Sequence, residues 1–200
     1  MNDSIEESAR KRKELRNQYD KFIAEQNSEI KKEIENRGIT KLVHFTHPDN
    51  IEKIERYGLL PRRELGKHSY RFNDRHRWDR MPGVCLSITE CNDYLLRSYI
   101  LGKKIPDPPK FIFIKPDIIL HEPCVFFDTN AARSKFKNES YLHLRSSIAF
   151  KSMFAKKVFK YEDDRYPTER TAMTADNITT DIQAEIIVAK VPPEYFIEII

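Results

Sequence analysis

KLVHFTHPDNIEKIERYGLLPR, residues 41–62, is the stretch on which the reading of the fold turns. Its first six residues are rich in β-formers, and a period of two puts Leu42, His44 and Thr46 on one face of a strand. Pro48 then opens a short helix over residues 48–57, with Ile51 and Ile54 turned inward and Gly58 as its stop. Downstream, further strands are expected over residues 84–88, 111–114, 125–128 and 184–189. An edge strand is expected within 194–200, and helices near 92–101 and 146–154. Pro106, Pro108 and Pro109 break the chain before the 111–114 strand. The mixture predicts an α+β domain of small antiparallel sheets with irregular connections.

Upstream, residues 1–38 read as one long helix, with Ser4 and Glu7 as a capping box and Gly38 beyond its end. Ile5, Ala9, Leu15, Tyr19, Phe22, Ile23, Ile30 and Ile34 recur near helical spacing. Residues 1–37 carry nine Lys/Arg against nine Asp/Glu, so the helix adds no net charge. Two readings follow: a solvated helix docking one stripe on its own body, or an arm that meets a partner or DNA. The division expected is a charged amphipathic helix over 1–38 and one domain over 39–200.

At 200 residues, 40% hydrophobic and 33% charged, the chain suits a single domain with a normal core. No window approaches the ~18–20 apolar residues of a membrane span, and the N-terminus lacks the apolar core of a signal peptide. No membrane association is expected. Cys85, Cys91 and Cys124 form no CxxC pair, which argues against a disulfide framework or structural zinc and points to a reducing, cytoplasmic setting. With 5 Gly and neither GxxxxGK[ST] nor GxGxxG, two common phosphate-binding designs are excluded.

The formal charge is +4, but it is concentrated. Residues 62–80 hold seven Lys/Arg against three acidic side chains, and residues 131–160 hold eight against one. The second segment interleaves Phe136, Tyr141, Phe150, Phe154 and Phe159, a pattern that suits single-stranded nucleic acid if the rings are exposed and an ordinary core if they are not.

Several constellations resemble metal or hydrolytic sites without meeting their geometry. His44 and His47 sit across a strand end, so their rings diverge, and His121-Glu122-Pro123-Cys124 lacks the second cysteine pair of a zinc deaminase. More telling is TDIQAEIIV, residues 180–188, where Gln183 and Glu185 share one face of a predicted strand and Ala184, Ile186 and Val188 the other. A carboxylate in an apolar strand is costly unless it is paired or used. His44, alone on an early strand, reads more readily as a core histidine than as a catalytic one.

With those residues in hand, the chain resembles the DarT family of DNA-modifying mono-ADP-ribosyltransferase toxins over roughly residues 39–200. The resemblance rests on LVHFTHPDNIEKIERYGLLPR, FNDRHRWDR, VFFDTNAA and YPTER…TTDIQAEIIV in that order. It implies an ADP-ribosyltransferase-like fold of two small, mainly antiparallel sheets around an NAD cleft. NAD would serve as co-substrate, no metal would be needed, and the acceptor would be guanine or thymine in single-stranded DNA. HRWDR and NAA are closer to the guanine-acting branch. It also implies a cognate antitoxin that removes ADP-ribose or blocks the site.

Carried onto this sequence, the resemblance makes Glu185 the catalytic glutamate and Arg77 the essential arginine, with Arg75 and Arg80 as competing matches. His44, Phe45, Thr46, Asn50, Leu60 and Arg77 fall in the NAD pocket. Arg80, Lys135, Lys137, Arg165, Arg170 and Gln183 fall where DNA would bind. One departure is plain: transferases of the H-Y-E type carry a tyrosine on a middle strand, whereas VCLSIT has none and offers Ser87. An RNA or protein acceptor, and a non-enzymatic nucleic-acid-binding module, stay open as other readings.

Overall fold

The structure, a computed structural model, describes residues 2–68 (side chains from residue 6 on), 70–71, 82–102, 108–161 and 165–200. Arg75, Arg77 and Arg80 lie outside the described residues.

Helix α1, Asn2–Arg37, runs 36 residues and starts before the expected cap at Ser4. Only its C-terminal half docks. Residues 6–21 are exposed throughout, Leu15 by 65% and Tyr19 by 41%, so the long apolar stripe read from sequence is not a docked one there. From Phe22 onward the buried side recurs at helical spacing, and Ile30 and Ile34 enter the main core. Polar bonds hold this half down: Asn27 Nδ2 donates to the Leu120 carbonyl at 2.7 Å, and Gln26 Oε1 accepts from the Ser147 amide at 2.8 Å. The buried Arg145 guanidinium bonds Asn27 Oδ1 and the Ile119 carbonyl.

The rest alternates short strands and helices: β1 Leu42–Thr46, α2 Ile51–Tyr57, α3 Arg62–Leu65, β2 Val84–Ile88, α4 Asp93–Leu101, β3 Lys110–Ile114, α5 Ile118–His121 and β4 Cys124–Phe127. There follow α6 Tyr141–Leu144, α7 Ser147–Ser152, β5 Lys157–Val158, β6 Thr168–Glu169, β7 Glu185–Val188 and β8 Phe196–Ile199. Local chemistry sets several boundaries. Asn92 caps α4 by accepting from the Leu95 amide, and Ser146 caps α7 by accepting from the Ala149 amide.

Six strands form one antiparallel sheet in the order β4-β7-β2-β1-β3-β8, and β5 pairs with β6 in a separate ribbon. The two small sheets expected from sequence are halves of this larger one. Their seam is thin, because β1 and β2 pair only at Leu42–Ile88 and Val43–Ser87. Beyond Val43 the strands part, while β1 stays zipped to β3 as far as Thr46 and β2 to β7 as far as Val84. The cleft of the molecule opens at that divergence.

Residues 41–62 act as the frame of this cleft. Buried Asn50 bonds the backbone of Arg71 in both directions, at 2.8 Å to its amide and 2.6 Å to its carbonyl. Ile54 is 1% exposed in the core. Gly58 adopts φ +79°, and the next residue, Leu59, bridges Val191 through two backbone bonds of 2.8 and 2.9 Å.

The aromatic residues of 131–160 divide between the two roles considered for them. Phe150 and Phe154 are core residues, and Phe136 packs on the smaller cluster of Val125, Phe127, Leu144 and Ile187. Phe159 is 47% exposed. The basic segment is therefore not an aromatic track along its whole length. Among the described residues, no helix is long and apolar enough to cross a membrane.

Candidate active site

His44 and Glu185 line one cavity of about 250 Å³ in the parting between β1 and β2. Phe45, Thr46, Asn50 and Leu60 also line it, together with Ser87, Tyr99, Arg62 and Arg71. The structure thus gathers the described residues expected in the NAD pocket.

His44 is fixed by the seam itself. Where the β1–β2 ladder stops, its Nδ1 lies 2.9 Å from the Cys85 carbonyl. A carbonyl only accepts, so Nδ1 carries the proton and Nε2 keeps its lone pair. Burial pushes the imidazole below its ordinary value of 6.5, with the Cys85 bond opposing that shift. At neutral pH His44 is therefore a neutral acceptor, suited to a hydroxyl donor. Because the unfolded chain takes up this proton first, the stabilising contribution is complete above pH 6.5 and is lost as pH falls toward the lower folded value. Thermal melts between pH 5 and 7 should show wild type losing more stability on acidification than His44→Gln; parallel curves would contradict this.

His47 plays a different part, accepting from the Asp49 amide at 3.1 Å to cap the turn after β1. The two histidines thus bond different backbone partners. Asn50 also touches the site indirectly: its Nδ2 donates to Thr46 Oγ1 at 3.0 Å while gripping Arg71. Its amide is occupied in holding the pocket wall.

Glu185 opens β7 opposite Phe127 and is 8% exposed. Asn130 Nδ2 donates to its Oε1 at 3.2 Å and the Ala131 amide donates to its Oε2 at 3.4 Å. Two donors on two oxygens fix the orientation of the carboxylate. Glu185 is set at the junction of both core clusters, since Ile186 and Val188 belong to the main one and Ile187 to the smaller.

Gln183 differs from expectation, for β7 begins only at Glu185. It lies in the preceding turn, where its amide donates to Asp181 Oδ1 at 2.9 Å and its Oε1 accepts from Arg133 at 3.3 Å. Asp181 is 1% exposed and also accepts from Thr129 Oγ1 at 2.8 Å. Thr129, Asn130, Ala131, Arg133 and Asp181 thus belong to the site's support. The signal for Thr129, Asn130 and Ala131 was the DTNAA run, and for Asp181 the TDIQAE run, whose partners lie far along the chain.

Of the residues expected to meet DNA, Lys137 and Arg165 are exposed. Lys135 is turned inward, with its Nζ 2.6 Å from Asp128 Oδ1 and 2.6 Å from the Phe159 carbonyl. Arg170 is likewise engaged, donating at 2.6 Å to the carbonyls of Ile178 and Ala175. These two cations brace loops instead of lying open to a ligand. Burial raises the Asp128 carboxyl, opposed by the Lys135 ammonium. Among the described residues, no group of three or more His, Cys, Asp or Glu side chains is arranged to hold a metal ion.

No curated protein matches the chain. A solved structure, Thermosipho africanus DarTG in complex with ADP-ribose, is similar at 16% identity and TM-score 0.49, covering 80% of this chain and 43% of that one. The chain spans less than half the length of that relative. The family model of DarT, the ssDNA thymidine ADP-ribosyltransferases, matches residues 43–200, from the strand that carries His44 through the strand that carries Glu185 to the last residue, and the chain belongs to the DarT family.

Proposed function

We propose that this chain transfers ADP-ribose from NAD to guanine or thymine in single-stranded DNA, releasing nicotinamide, as the toxin of a toxin–antitoxin pair. The observation that carries this reading is the shared cavity of a neutral His44 and a doubly anchored Glu185. A space of about 250 Å³ suits the nicotinamide–ribose end of NAD, with the remainder reaching toward Arg62 and Arg71 at the wall.

His44 accepts a ribose hydroxyl through Nε2, while Phe45, Thr46 and Leu60 line the ring's surroundings. Cleavage of the bond between nicotinamide and ribose builds positive charge on the sugar, as in glycoside hydrolysis. A carboxylate held beside that centre stabilises charge that is greatest in the transition state. Glu185 also takes the proton from the attacking base nitrogen, so the base gains the C1″ bond as nicotinamide leaves with the bonding electrons. The family description, an ssDNA thymidine ADP-ribosyltransferase, supports both the donor and the acceptor class.

Arg77 is assigned to the diphosphate or the DNA backbone, with Arg75 and Arg80 beside it in sequence. Lys137 and Arg165 supply phosphate contacts, and the exposed rings of Phe159, Tyr161 and Tyr166 supply stacking surfaces. Lys135 and Arg170 contribute by holding the loops that carry these groups. The transferase unit runs from 39 to 200, with the docked half of α1 as its brace. A cytoplasmic setting agrees with three free cysteines, and an antitoxin that reverses or blocks the reaction completes the proposal.

Intact-mass measurement of short single strands incubated with protein and NAD tests this reading. An ADP-ribose adduct should form on a mixed-base strand and vanish from either the thymine-free or the guanine-free strand. NAD cleavage without any DNA adduct would move the acceptor elsewhere, and no cleavage at all would leave a binding module.

A further inference from the structure

Residues 129–133 grip residues 181–185 through three side chains and one backbone amide. Thr129 holds Asp181, Asn130 and Ala131 hold Glu185, and Arg133 holds Gln183. The first contacts position the carboxylate. The last one has a separate chemical consequence.

A glutamine amide has an acceptor end and a donor end, and a loosely held one can flip to read either kind of partner. Guanidinium has donors only, so the oxygen of Gln183 must face Arg133. Arg133 is itself held in place: its Nη1 donates to the Tyr161 hydroxyl, and its guanidinium carbon lies 4.8 Å from the centre of that ring. Gln183 is 8% exposed, and its Nε2 is not among the buried atoms that lack a partner. Of the described residues, none accepts from that nitrogen. The donor end, in the turn that leads into the cavity-lining Glu185, is thus without an acceptor among the described residues.

We infer that Arg133 is a positioning residue for base selection: it locks the Gln183 amide so that Nε2 donates to the exocyclic oxygen of the acceptor base, O4 of thymine or O6 of guanine. Adenine and cytosine carry an amino donor at the corresponding position, which meets Nε2 donor to donor. The inference rests on the transferase reading above and names the feature by which that site discriminates among bases. It gives one physical reason why a thymine or a guanine, both keto bases, fits the same turn.

The test uses the full chain and the strand that wild type modifies, with the acceptor replaced by an analogue lacking the oxygen. The analogue is 4-thiothymine for thymine, which keeps the N3 proton and carries a much weaker acceptor, or 2-aminopurine for guanine. Transfer is normalised to each protein's own NAD cleavage, so that loss of catalysis and loss of selection separate. Wild type should prefer the natural base by on the order of 10–100-fold, the span of one well-placed base contact. In Arg133→Leu the amide is free to turn, and the preference should shrink at least several-fold. Gln183→Glu presents a carboxylate oxygen in place of Nε2, so the donor is lost and the preference for the natural base should shrink at least several-fold. It serves as the second variant should Arg133→Leu fold poorly. Full discrimination in Arg133→Leu, or an unchanged preference in Gln183→Glu, would overturn the inference. A wild-type protein that cleaves NAD but modifies no strand would instead defeat the transferase reading on which it rests.

Discussion

Glu185→Gln is expected to lower ADP-ribose transfer by about 10²–10³-fold or more while changing the NAD dissociation constant by only a few-fold. Glutamine matches glutamate in shape, so the cavity survives. The two oxygens of Glu185, however, both face donors, Asn130 Nδ2 and the Ala131 amide. An amide can satisfy one of them and must turn its own NH2 on the other. It also carries no charge to offset the cation that develops on the sugar. Because that charge is greatest in the transition state, the loss should fall on turnover and spare ground-state binding. Single-turnover transfer and NAD titration measure the two separately. A variant that keeps more than a tenth of wild-type turnover would remove Glu185 from the catalytic role.

Gly58→Ala should destabilise the fold by about 3–5 kcal/mol, lowering Tm by about 6–20 °C for a chain of this size. Two effects combine. A non-glycine residue at φ +79° is strained, and a Cβ there would lie 2.3 Å from the Val191 carbonyl oxygen. The backbone must retreat, which breaks the Leu59–Val191 bridge and loosens the chain leading out of β7. Gly66→Ala is the control: its Cβ meets nothing within 4 Å, and no left-handed conformation is required. Its melting temperature should stay near that of wild type. Equal melts for the two variants would show that Gly58 has no such constraint.

Much of the element order was legible because it depends on local pattern. The period of two in residues 42–46, the glycine after Tyr57 and the run of β-formers at 184–189 are properties of neighbouring residues. His44 and Glu185 stood out for the same reason, each a polar group in an apolar strand. What composition leaves open is direction. Lys135 and Arg170, expected to meet DNA, are each engaged by carbonyls or a carboxylate of the chain itself. Phe150 and Phe154, for which a stacking and a core role both stood open, are core.

The sequence by itself determined the main strands and the longer helices, and which two residues break the apolar pattern, because hydrophobic periodicity and turn chemistry act over a few residues. Only the tertiary structure decided that β1 and β2 part after two paired positions, that His44 takes the carbonyl left at the parting, and that residues 129–133 clamp residues 181–185. Those outcomes depend on which strands become neighbours and in what register. Such non-local pairings are settled by burial across the whole core, and no window of local sequence contains them.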